Sequence, residues 1–398
     1  MLSLAARSPW GDGERESCSH MENRLTQLPT PGALVDVQRM RANIDRMQER
    51  MAALGVDFRP HVKTAKCVPI ARMQAEAGAR GITVSTLKEA REFFSAGFTD
   101  ILYAVGMAPG KLPQALALRQ AGCELKLITD NVEAAQAIGR FGRSNAHSFE
   151  VWIEVDTDGH RGGVPPESDQ LLAVAQAIGE GGSTLGGVMT HAGASYELSD
   201  PEALATMAER ERSGCVRAAE RLRARGWPCP VVSVGSTPTA LSARSLAGVT
   251  EVRAGVYVFF DLVMANIGVC TPRDVALSVL TAVIGHQPEK GQAIVDAGWM
   301  AMSRDRGTQN QARDFGYGQV CSATGEPIPG YIVSGANQEH GIVSREGSPD
   351  PDIARRFPVG SLLRILPNHA CATGAQYAEY HAIHGDGRIE TWPRFGGW

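Results

Sequence analysis

The sequence has no long apolar run, no paired cysteine motif and little net charge. None of its apolar runs approaches the roughly 20 residues that a membrane-spanning helix needs. The apolar patch within residues 1–20 is too short for a secretory signal, so we expect no export. The net charge is only −4, from 39 basic and 43 acidic residues, and we therefore expect neither a nucleic acid nor a membrane as partner.

None of the eight cysteines forms a Cys-x-x-Cys pair, which argues against a zinc finger or a thioredoxin-type site. Cysteines such as Cys123 lie in apolar stretches, which is typical of reduced, buried thiols in a cytoplasmic protein. With 43% hydrophobic and 21% charged residues, the composition predicts an ordinary globular chain with a large core. A length of 398 residues is enough for two or three domains.

Short apolar runs alternate with helical, Ala- and Glu-rich stretches between residues 57 and 265. This alternation predicts right-handed βαβ units and a parallel sheet. Eight strands over this length favour a (β/α)8 TIM-type barrel, with an open doubly wound sheet as the alternative. The predicted strands lie within residues 56–64, 81–86, 100–105, 124–130, 149–156, 184–193, 231–237 and 251–261.

After residue 266 the helical spacing fades, and alternating apolar segments separated by turns take over. This pattern predicts a C-terminal antiparallel β domain. We therefore expect a loose extension over residues 1–24, the barrel over 25–265 and the β domain over 266–398. The early strand 33–37 precedes the barrel, and we expect it to pair with the late β domain.

Lys63 closes the first predicted barrel strand, in the segment RPHVKTAK. Active sites of such barrels lie at the carboxyl ends of the strands, where partial burial makes a lysine amine nucleophilic. Taken alone, the position favours a solvent-exposed lysine beside Lys66.

Two glycine-containing turns follow the seventh and eighth strands, where such barrels typically build a phosphate site. Backbone N–H groups and small hydroxyls in these turns can surround a phosphate. The turns are VGSTPT, with Gly235, Ser236 and Thr237, and RAGVY, with Gly255, Val256 and Tyr257.

Polar segments also follow the fifth and sixth strands. EVDTDGHRGG contains His160 and Arg161, and THAGASY contains His191 and Tyr196. Because these strand ends face the barrel mouth, we expect Arg161 and His191 to act in the site, while His160 fits a turn residue as well.

His369 and Cys371 lie two residues apart in LPNHACAT. In an extended segment they would point to the same face and could share one divalent metal. Two ligands are too few for a closed structural zinc site but suit an open catalytic one. An isolated His-x-Cys pair is a weak pattern, for which packing in the core is the default interpretation.

In this order, these segments resemble the fold-type III pyridoxal-phosphate enzymes, whose best-known members are alanine racemases. TPGALVD, RPHVKTAK and PNHACAT resemble the branch that contains D-threonine aldolases and D-serine dehydratases. DAGWMAMSRDRG and the closing TWPRFGGW resemble the aldolases specifically.

The resemblance implies roles for single residues. Lys63 would hold pyridoxal 5'-phosphate as a Schiff base, and Arg161 would contact the phenolic oxygen of its ring. Arg253 would face the pyridine nitrogen, and His369 and Cys371 would bind Mn²⁺ or Zn²⁺. The remaining cofactor-binding residues would be Tyr196, Ser236, Thr237, Gly255, Val256 and Tyr257. The family is usually dimeric, so we also expect a homodimer whose active site is near the subunit interface.

The expected reaction is the metal-dependent retro-aldol cleavage of a small D-β-hydroxy-α-amino acid to glycine and an aldehyde, with His191 or metal-bound hydroxide as base. The same residues would also serve a D-serine or 3-hydroxy-D-aspartate dehydratase, in which Lys63 removes the Cα proton. A non-catalytic pyridoxal-phosphate carrier is the alternative from another class. It would need neither the late β domain nor His369 and Cys371.

Overall fold

The computed structural model describes residues 23–398, which group into two units by their contacts. Unit 1 contains residues 23–38 and Ala276–Thr391, and unit 2 contains Arg39–Val275 and Trp392–Trp398. The expected 1–24 extension lies almost entirely outside the described residues. Within the part of the chain that is described, no helix is long and apolar enough to cross a membrane.

Unit 2 is built on a parallel sheet in the order β2-β9-β8-β7-β6-β5-β4-β3. A bridge between His61 and Thr83 joins β2 to β3 and closes the sheet, and the Val62 N–H donates to the Thr83 carbonyl at 2.9 Å. The predicted barrel and its eight strands are therefore confirmed, and the open-sheet alternative is excluded. The strands are β2 (Asp57–Pro60), β3 (Ile82–Val84), β4 (Asp100–Gly106), β5 (Glu124–Thr129), β6 (Glu150–Glu154), β7 (Thr184–Met189), β8 (Val231–Val234) and β9 (Glu251–Ala254).

Helices connect the barrel strands, and side-chain caps begin several of them. Thr86, Asn131 and Asp200 each accept a hydrogen bond from the backbone N–H three residues later, which satisfies an otherwise unpaired donor. The helices are α1 (Val37–Ala53), α2 (Val68–Glu76), α3 (Leu87–Ser95), α4 (Leu112–Gln120), α5 (Val132–Ser144), α6 (Gln170–Glu180), α7 (Pro201–Ala224), α8 (Thr237–Ser242) and α9 (Leu262–Ile267).

The barrel interior combines apolar packing with buried charge. One apolar cluster contains Leu102, Ile128, Trp152 and Met189, from four consecutive strands. Elsewhere in the barrel, the Arg59 guanidinium binds Glu251 at 2.9 Å and Asp100 at 2.8 Å. Burial disfavours the charge of Arg59, but the two carboxylates outweigh it and raise the pKa of Arg59.

Unit 1 contains a nine-stranded sheet in the order β11-β14-β13-β12-β15-β10-β1-β16-β17, in which β11 also pairs with β10. The predicted C-terminal antiparallel β domain is confirmed. β1 (Gly32–Asp36) runs antiparallel to β10 and parallel to β16. The other strands are β10 (Leu277–Gln287), β11 (Gln292–Val295), β12 (Gln319–Cys321), β13 (Pro327–Ala336), β14 (Gly341–Arg345), β15 (Leu362–Leu366), β16 (Glu379–Ile383) and β17 (Ile389–Pro393).

Short helices interrupt this sheet at α10 (Trp299–Met302), α11 (Ile353–Arg356) and α12 (Ala370–Gly374). Its core is made by strand residues such as Val295, Val333 and Ile365, which have no exposed surface. The sheet alternates buried and exposed positions, as the β11 pattern from Gln292 to Val295 illustrates.

Candidate active site

Lys63 lies in the turn that follows β2, at the carboxyl end of the barrel. The turn is fastened to both neighbouring strands. The His61 N–H donates to the Ala254 carbonyl of β9 at 2.8 Å, and the Val62 N–H donates to Thr83 of β3. The Lys66 N–H then closes the turn onto the Val62 carbonyl at 2.8 Å. The half-buried Lys63 side chain therefore comes from a backbone with little freedom.

The turn after β8 requires glycine at its first position. Gly235 has a φ of +130°, and a Cβ there would lie 2.2 Å from the Arg253 carbonyl oxygen. Ser236 then caps α8, and its hydroxyl lies 2.8 Å from the Ser195 hydroxyl. Thr237 is fully buried, and its hydroxyl accepts the backbone N–H of Tyr257 at 3.3 Å. The turns after β8 and β9 are thus directly joined.

The turn after β9 packs against the lysine turn. A Cβ on Gly255 would lie 3.0 Å from the His61 carbonyl oxygen and 3.2 Å from the Thr64 hydroxyl. The Tyr257 ring is buried, and its hydroxyl accepts a hydrogen bond from the Gln74 amide at 2.7 Å.

His191 is a neutral imidazole with a defined tautomer. Its Nδ1 lies 3.0 Å from the Gly235 carbonyl, which can only accept, so Nδ1 carries the proton and Nε2 keeps a lone pair. Burial, and then the charge of Lys63, lower the pKa of His191 to about 3. The Tyr196 ring lies 6.1 Å from the imidazole, centre to centre. His191 is therefore unprotonated at neutral pH, and its Nε2 can accept a hydrogen bond.

Arg253 is almost completely buried and is held by neighbouring strands. Its guanidinium donates to the Thr190 carbonyl at 2.6 Å and to the Ser233 hydroxyl. The Ser233 hydroxyl in turn donates to Glu251 at 2.6 Å. Burial lowers the pKa of Arg253. These contacts fix the side chain in place.

Arg161 is the most exposed of the predicted barrel residues, with about half of its side chain accessible, 54%. Its guanidinium lies 3.9 Å from the Glu154 carboxylate, whose pKa is raised by burial. The loop around it is ordered by Asp158, which accepts the Ala194 N–H from the next loop at 2.9 Å. His160 packs against Gly193, where a Cβ would come within 2.3 Å of its ring. His160 therefore fits a packing residue.

Sequence reasoning missed two barrel residues. His61 has a pKa well below its usual value, because of burial and then the charge of Lys63. Glu211 on α7 is buried and accepts the N–H groups of Ala192 at 2.8 Å and Gly235 at 3.1 Å, tying the loops after β7 and β8 together. The missed signal for Glu211 was a carboxylate within the apolar stripe of α7.

The barrel residues fit an anionic cofactor that bears a phosphate. Lys63, Arg161 and Arg253 all act electrostatically on His191, so positive charge converges there. Next to it are two glycine turns in which added side chains would clash with backbone atoms. Such turns let backbone N–H groups approach a phosphate closely. A lysine amine within the same set of loops supplies the group for a Schiff base.

The predicted metal ligands lie in unit 1, and their predicted geometry is wrong. His369 is the extended residue before α12, but Cys371 lies inside that helix, so the two do not share one face of an extended segment. The physical reason is that the segment ACATG after His369 turns into a helix at once.

Asp305, a residue without a predicted role, orients His369. Its carboxylate lies 2.6 Å from His369 Nδ1, which leaves Nε2 for a metal, and this hydrogen bond lowers the pKa of Asp305. Among residues 23–398, no cluster of three or more His, Cys, Asp or Glu side chains is arranged to hold a metal. His369 and Cys371 supply an imidazole and a thiol, and two such donors would need water or another ligand to complete a divalent site.

Comparison with known proteins finds a family match for each half of the chain. Residues 35–263 match the family described as alanine racemase, N-terminal domain, and residues 276–383 match a putative serine dehydratase domain. The D-threo-3-hydroxyaspartate dehydratase of Delftia sp. (strain HT23) is 66% identical over 380 residues, which cover 95% of this chain and 100% of that protein. The D-serine dehydratase of Dictyostelium discoideum is 32% identical and covers 92% of this chain and 96% of its own length.

The solved structure of the Delftia dehydratase superposes with a TM-score of 0.93 and covers 94% of this chain and 99% of its own. A cysteine-to-alanine mutant of that enzyme has been solved in a metal-free form, with the same TM-score of 0.93 and 66% identity.

The expectation of a D-threonine aldolase is wrong. The D-threonine aldolase of Arthrobacter is only 27% identical over 88% of this chain, against 66% for the Delftia dehydratase. Two residues of the segment that resembles the aldolases have structural roles that do not depend on the reaction. Asp296 accepts hydrogen bonds from the Thr281 hydroxyl and the Ala282 N–H, and Gly298 approaches the Asn337 carbonyl too closely for any side chain. The chain belongs to the alanine racemase-like, fold-type III family of pyridoxal-phosphate enzymes that carry a D-serine dehydratase domain.

Proposed function

We propose that this protein is a pyridoxal-phosphate- and divalent-metal-dependent dehydratase that acts on D-threo-3-hydroxyaspartate. The observation that carries the proposal is the 66% identity to the Delftia dehydratase over 95% of this chain. The alternative of a non-catalytic carrier has little support, because the late β domain matches a dehydratase domain.

The net reaction removes ammonia from the substrate. Loss of the Cα proton and of the β-hydroxyl as water leaves an enamine, which rearranges to an imine. Water then hydrolyses the imine to 2-oxobutanedioate and ammonia. When bound, pyridoxal phosphate supplies an electron sink for the charge that develops at Cα.

The side chains of the barrel would divide this work. Lys63 would hold the cofactor and would take the proton from Cα, because its amine is held in the barrel mouth by the turn after β2. The neutral His191 would accept or relay a proton at Nε2. Arg161 and Arg253 would supply positive charge for the anionic cofactor and the substrate carboxylates.

His369 and Cys371 would hold a divalent ion, whose chemistry is to make hydroxide a better leaving group. The imidazole and thiolate set favours Zn²⁺ on softness, while Mn²⁺ stays the other expected metal. We also expect the protein to act as a homodimer, which light scattering coupled to size-exclusion chromatography would test.

The deciding experiment offers the purified enzyme D-threo-3-hydroxyaspartate, D-serine and D-threonine, each with Zn²⁺, with Mn²⁺ and with a chelator, and identifies the products. 2-Oxobutanedioate and ammonia from the first substrate support the proposal. Glycine together with an aldehyde from any of the three would overturn it.

A D-serine dehydratase is the second candidate, favoured by the match to the Dictyostelium enzyme. Both candidates perform the same elimination and differ only in the group at Cβ. A kcat/KM for D-serine that exceeds the value for D-threo-3-hydroxyaspartate would select this second activity.

A further inference from the structure

Residues 392–398 have no part in the proposed chemistry, although the sequence TWPRFGGW stands out. Trp392 and Pro393 are the last residues of β17, and the contacts of residues 392–398 place them in the barrel unit. Trp392 and Arg394 are buried there, with exposed fractions of 5% and 8%. Two buried side chains in a segment that is otherwise mostly exposed indicate a definite partner in the barrel.

The partner is the loop region beside Lys63. The Phe395 N–H donates to the Lys66 carbonyl at 3.1 Å. The Phe395 ring packs edge-on against the fully buried Phe93 of α3, with centroids 5.0 Å apart. The Lys88 ammonium donates to the Gly396 carbonyl. The segment is therefore anchored to α3 on one side and to the turn that carries Lys63 on the other.

Lys66, the residue that receives this contact, has an unusual backbone conformation. Its φ is +47°, in the left-handed region, which costs a residue with a side chain roughly 1–2 kcal/mol. Three interactions hold it there. Its N–H bonds the Val62 carbonyl, its ammonium lies 3.1 Å from the buried Glu89, and its carbonyl accepts the Phe395 N–H.

Glu89 connects this arrangement to the next loop of the barrel. Besides Lys66, its carboxylate accepts the Ser85 N–H at 3.0 Å and the Ser85 hydroxyl at 2.8 Å. The interior side of the lysine turn is thus fixed by the barrel itself. Phe395 adds the contact from a distant part of the chain, more than 300 positions later in the sequence.

We propose that Phe395 is a positioning residue for Lys63: its ring anchors the segment on Phe93, and its N–H holds the Lys66 carbonyl, which keeps the 62–66 turn in the conformation that presents the lysine to the cofactor. The inference deepens the proposed function, and it rests only on the role of Lys63 in holding the cofactor. It does not depend on which substrate is used.

The test compares three variants of the full-length enzyme. Phe395→Pro removes the N–H that bonds Lys66, Phe395→Ala keeps the N–H but removes the ring, and Trp398→Ala changes a side chain that is 94% exposed. The first readout is hydrogen–deuterium exchange of the 62–67 amides in cofactor-free protein. The second is the pH midpoint of the visible absorbance of the bound cofactor.

For Phe395→Pro we expect about tenfold faster exchange at these amides, the effect of roughly one lost hydrogen bond, together with a shifted pH midpoint. Phe395→Ala should have a smaller effect on both, and Trp398→Ala should match the wild type. Gly226→Ala serves as a control for general destabilisation, because Gly226 has a φ of +82° and open space around it.

The proposal is overturned if Phe395→Pro leaves both readouts unchanged, or if Gly226→Ala changes them as much at equal loss of thermal stability. Failure of the proposed function is a separate result. Wild-type enzyme without dehydratase turnover would contradict that function, while the exchange measurement on cofactor-free protein would still decide the role of Phe395.

Discussion

His191 and His369 have different hydrogen-bond partners at Nδ1, and the partner decides what each imidazole can do. His191 donates to a backbone carbonyl and stays neutral, whereas His369 faces the carboxylate of Asp305. A carbonyl partner leaves Nε2 as a proton acceptor. A carboxylate partner raises the basicity of the ring and suits a metal ligand.

The Asp305→Asn variant tests the second of these arrangements. Loss of the carboxylate removes the group that orients His369, so we expect metal affinity to fall about 10–100-fold. Metal content after dialysis against competing chelator measures the change. Asp352→Asn is the matched control, since Asp352 pairs with the exposed Arg355. Equal metal content in both variants would contradict the role assigned to Asp305.

His191 makes the stability of the cofactor-free protein depend on pH. Its folded pKa is about 3 against an ordinary 6.5, so the unfolded chain binds a proton first as the pH falls. The free energy of unfolding should therefore decrease from about pH 6.5 toward pH 3. His191→Asn, which can still donate to Gly235, should flatten this decrease. Denaturant unfolding at several pH values measures the slope, and the exposed His340→Asn is the control. An unchanged slope in His191→Asn would refute the shifted pKa.

At the scale of elements, the barrel loops after β2, β8 and β9 form one connected structure. The turn after β9 packs against the lysine turn at Gly255, and Thr237 joins the turns after β8 and β9. Glu211 adds a tie between the loops after β7 and β8 from the buried stripe of α7. A change in one of these loops should therefore affect the others.

Gly235→Ala tests this connection. The added methyl would lie 2.2 Å from the Arg253 carbonyl, in a left-handed conformation, so strain of at least about 1–3 kcal/mol is expected. We expect lower thermal stability and much weaker retention of pyridoxal phosphate, measured by absorbance after gel filtration. Gly226→Ala also places a methyl group on a left-handed residue, but no atom lies near enough to clash with it, so this variant should keep the cofactor. Equal cofactor retention by both variants would show that the Gly235 turn does not hold the phosphate.

The ion pairs of Arg59 tie β2 to β4 and β9 inside the barrel. Arg59→Leu would leave the buried Glu251 carboxylate without its cationic partner, while Asp100 keeps its pair with Lys126. Breaking such a buried pair costs about 3–5 kcal/mol. Chemical denaturation measures the loss. Arg80→Leu breaks an exposed pair with Asp57 and should change stability little. Similar losses in the two variants would mean that burial does not strengthen the Arg59 interactions.

For the whole molecule, periodic patterns predicted the architecture well and single contacts poorly. All eight barrel strands were predicted, because buried parallel strands separated by helices appear in the sequence as short apolar runs that alternate with helical stretches. Asp305 and Glu211 were missed as site residues because their hydrogen-bond partners lie far away in the sequence. His61 was missed because its lowered pKa results from burial, which the sequence does not show.

The choice between aldolase and dehydratase failed for a related reason. The segments used to decide it, DAGWMAMSRDRG and TWPRFGGW, contain residues that shape the backbone, such as Gly298, or anchor a loop, such as Phe395. Such residues follow from the fold, which both kinds of enzyme share. The geometry assigned to His369 and Cys371 failed because a helix begins between them.

The division into two units predicts that the cofactor and the metal can be lost separately. Lys63 and the glycine turns belong to unit 2, whereas His369, Asp305 and Cys371 belong to unit 1. Lys63→Ala should therefore lose the visible absorbance of bound pyridoxal phosphate but keep its metal, because no metal ligand has changed. His369→Ala should show the reverse, with full absorbance, little metal and little turnover. Absorbance spectra and elemental analysis of the two purified variants, beside wild type treated with chelator, measure both losses. If removing the metal also removes the cofactor, the two sites depend on each other and the assignment of separate residue sets is wrong.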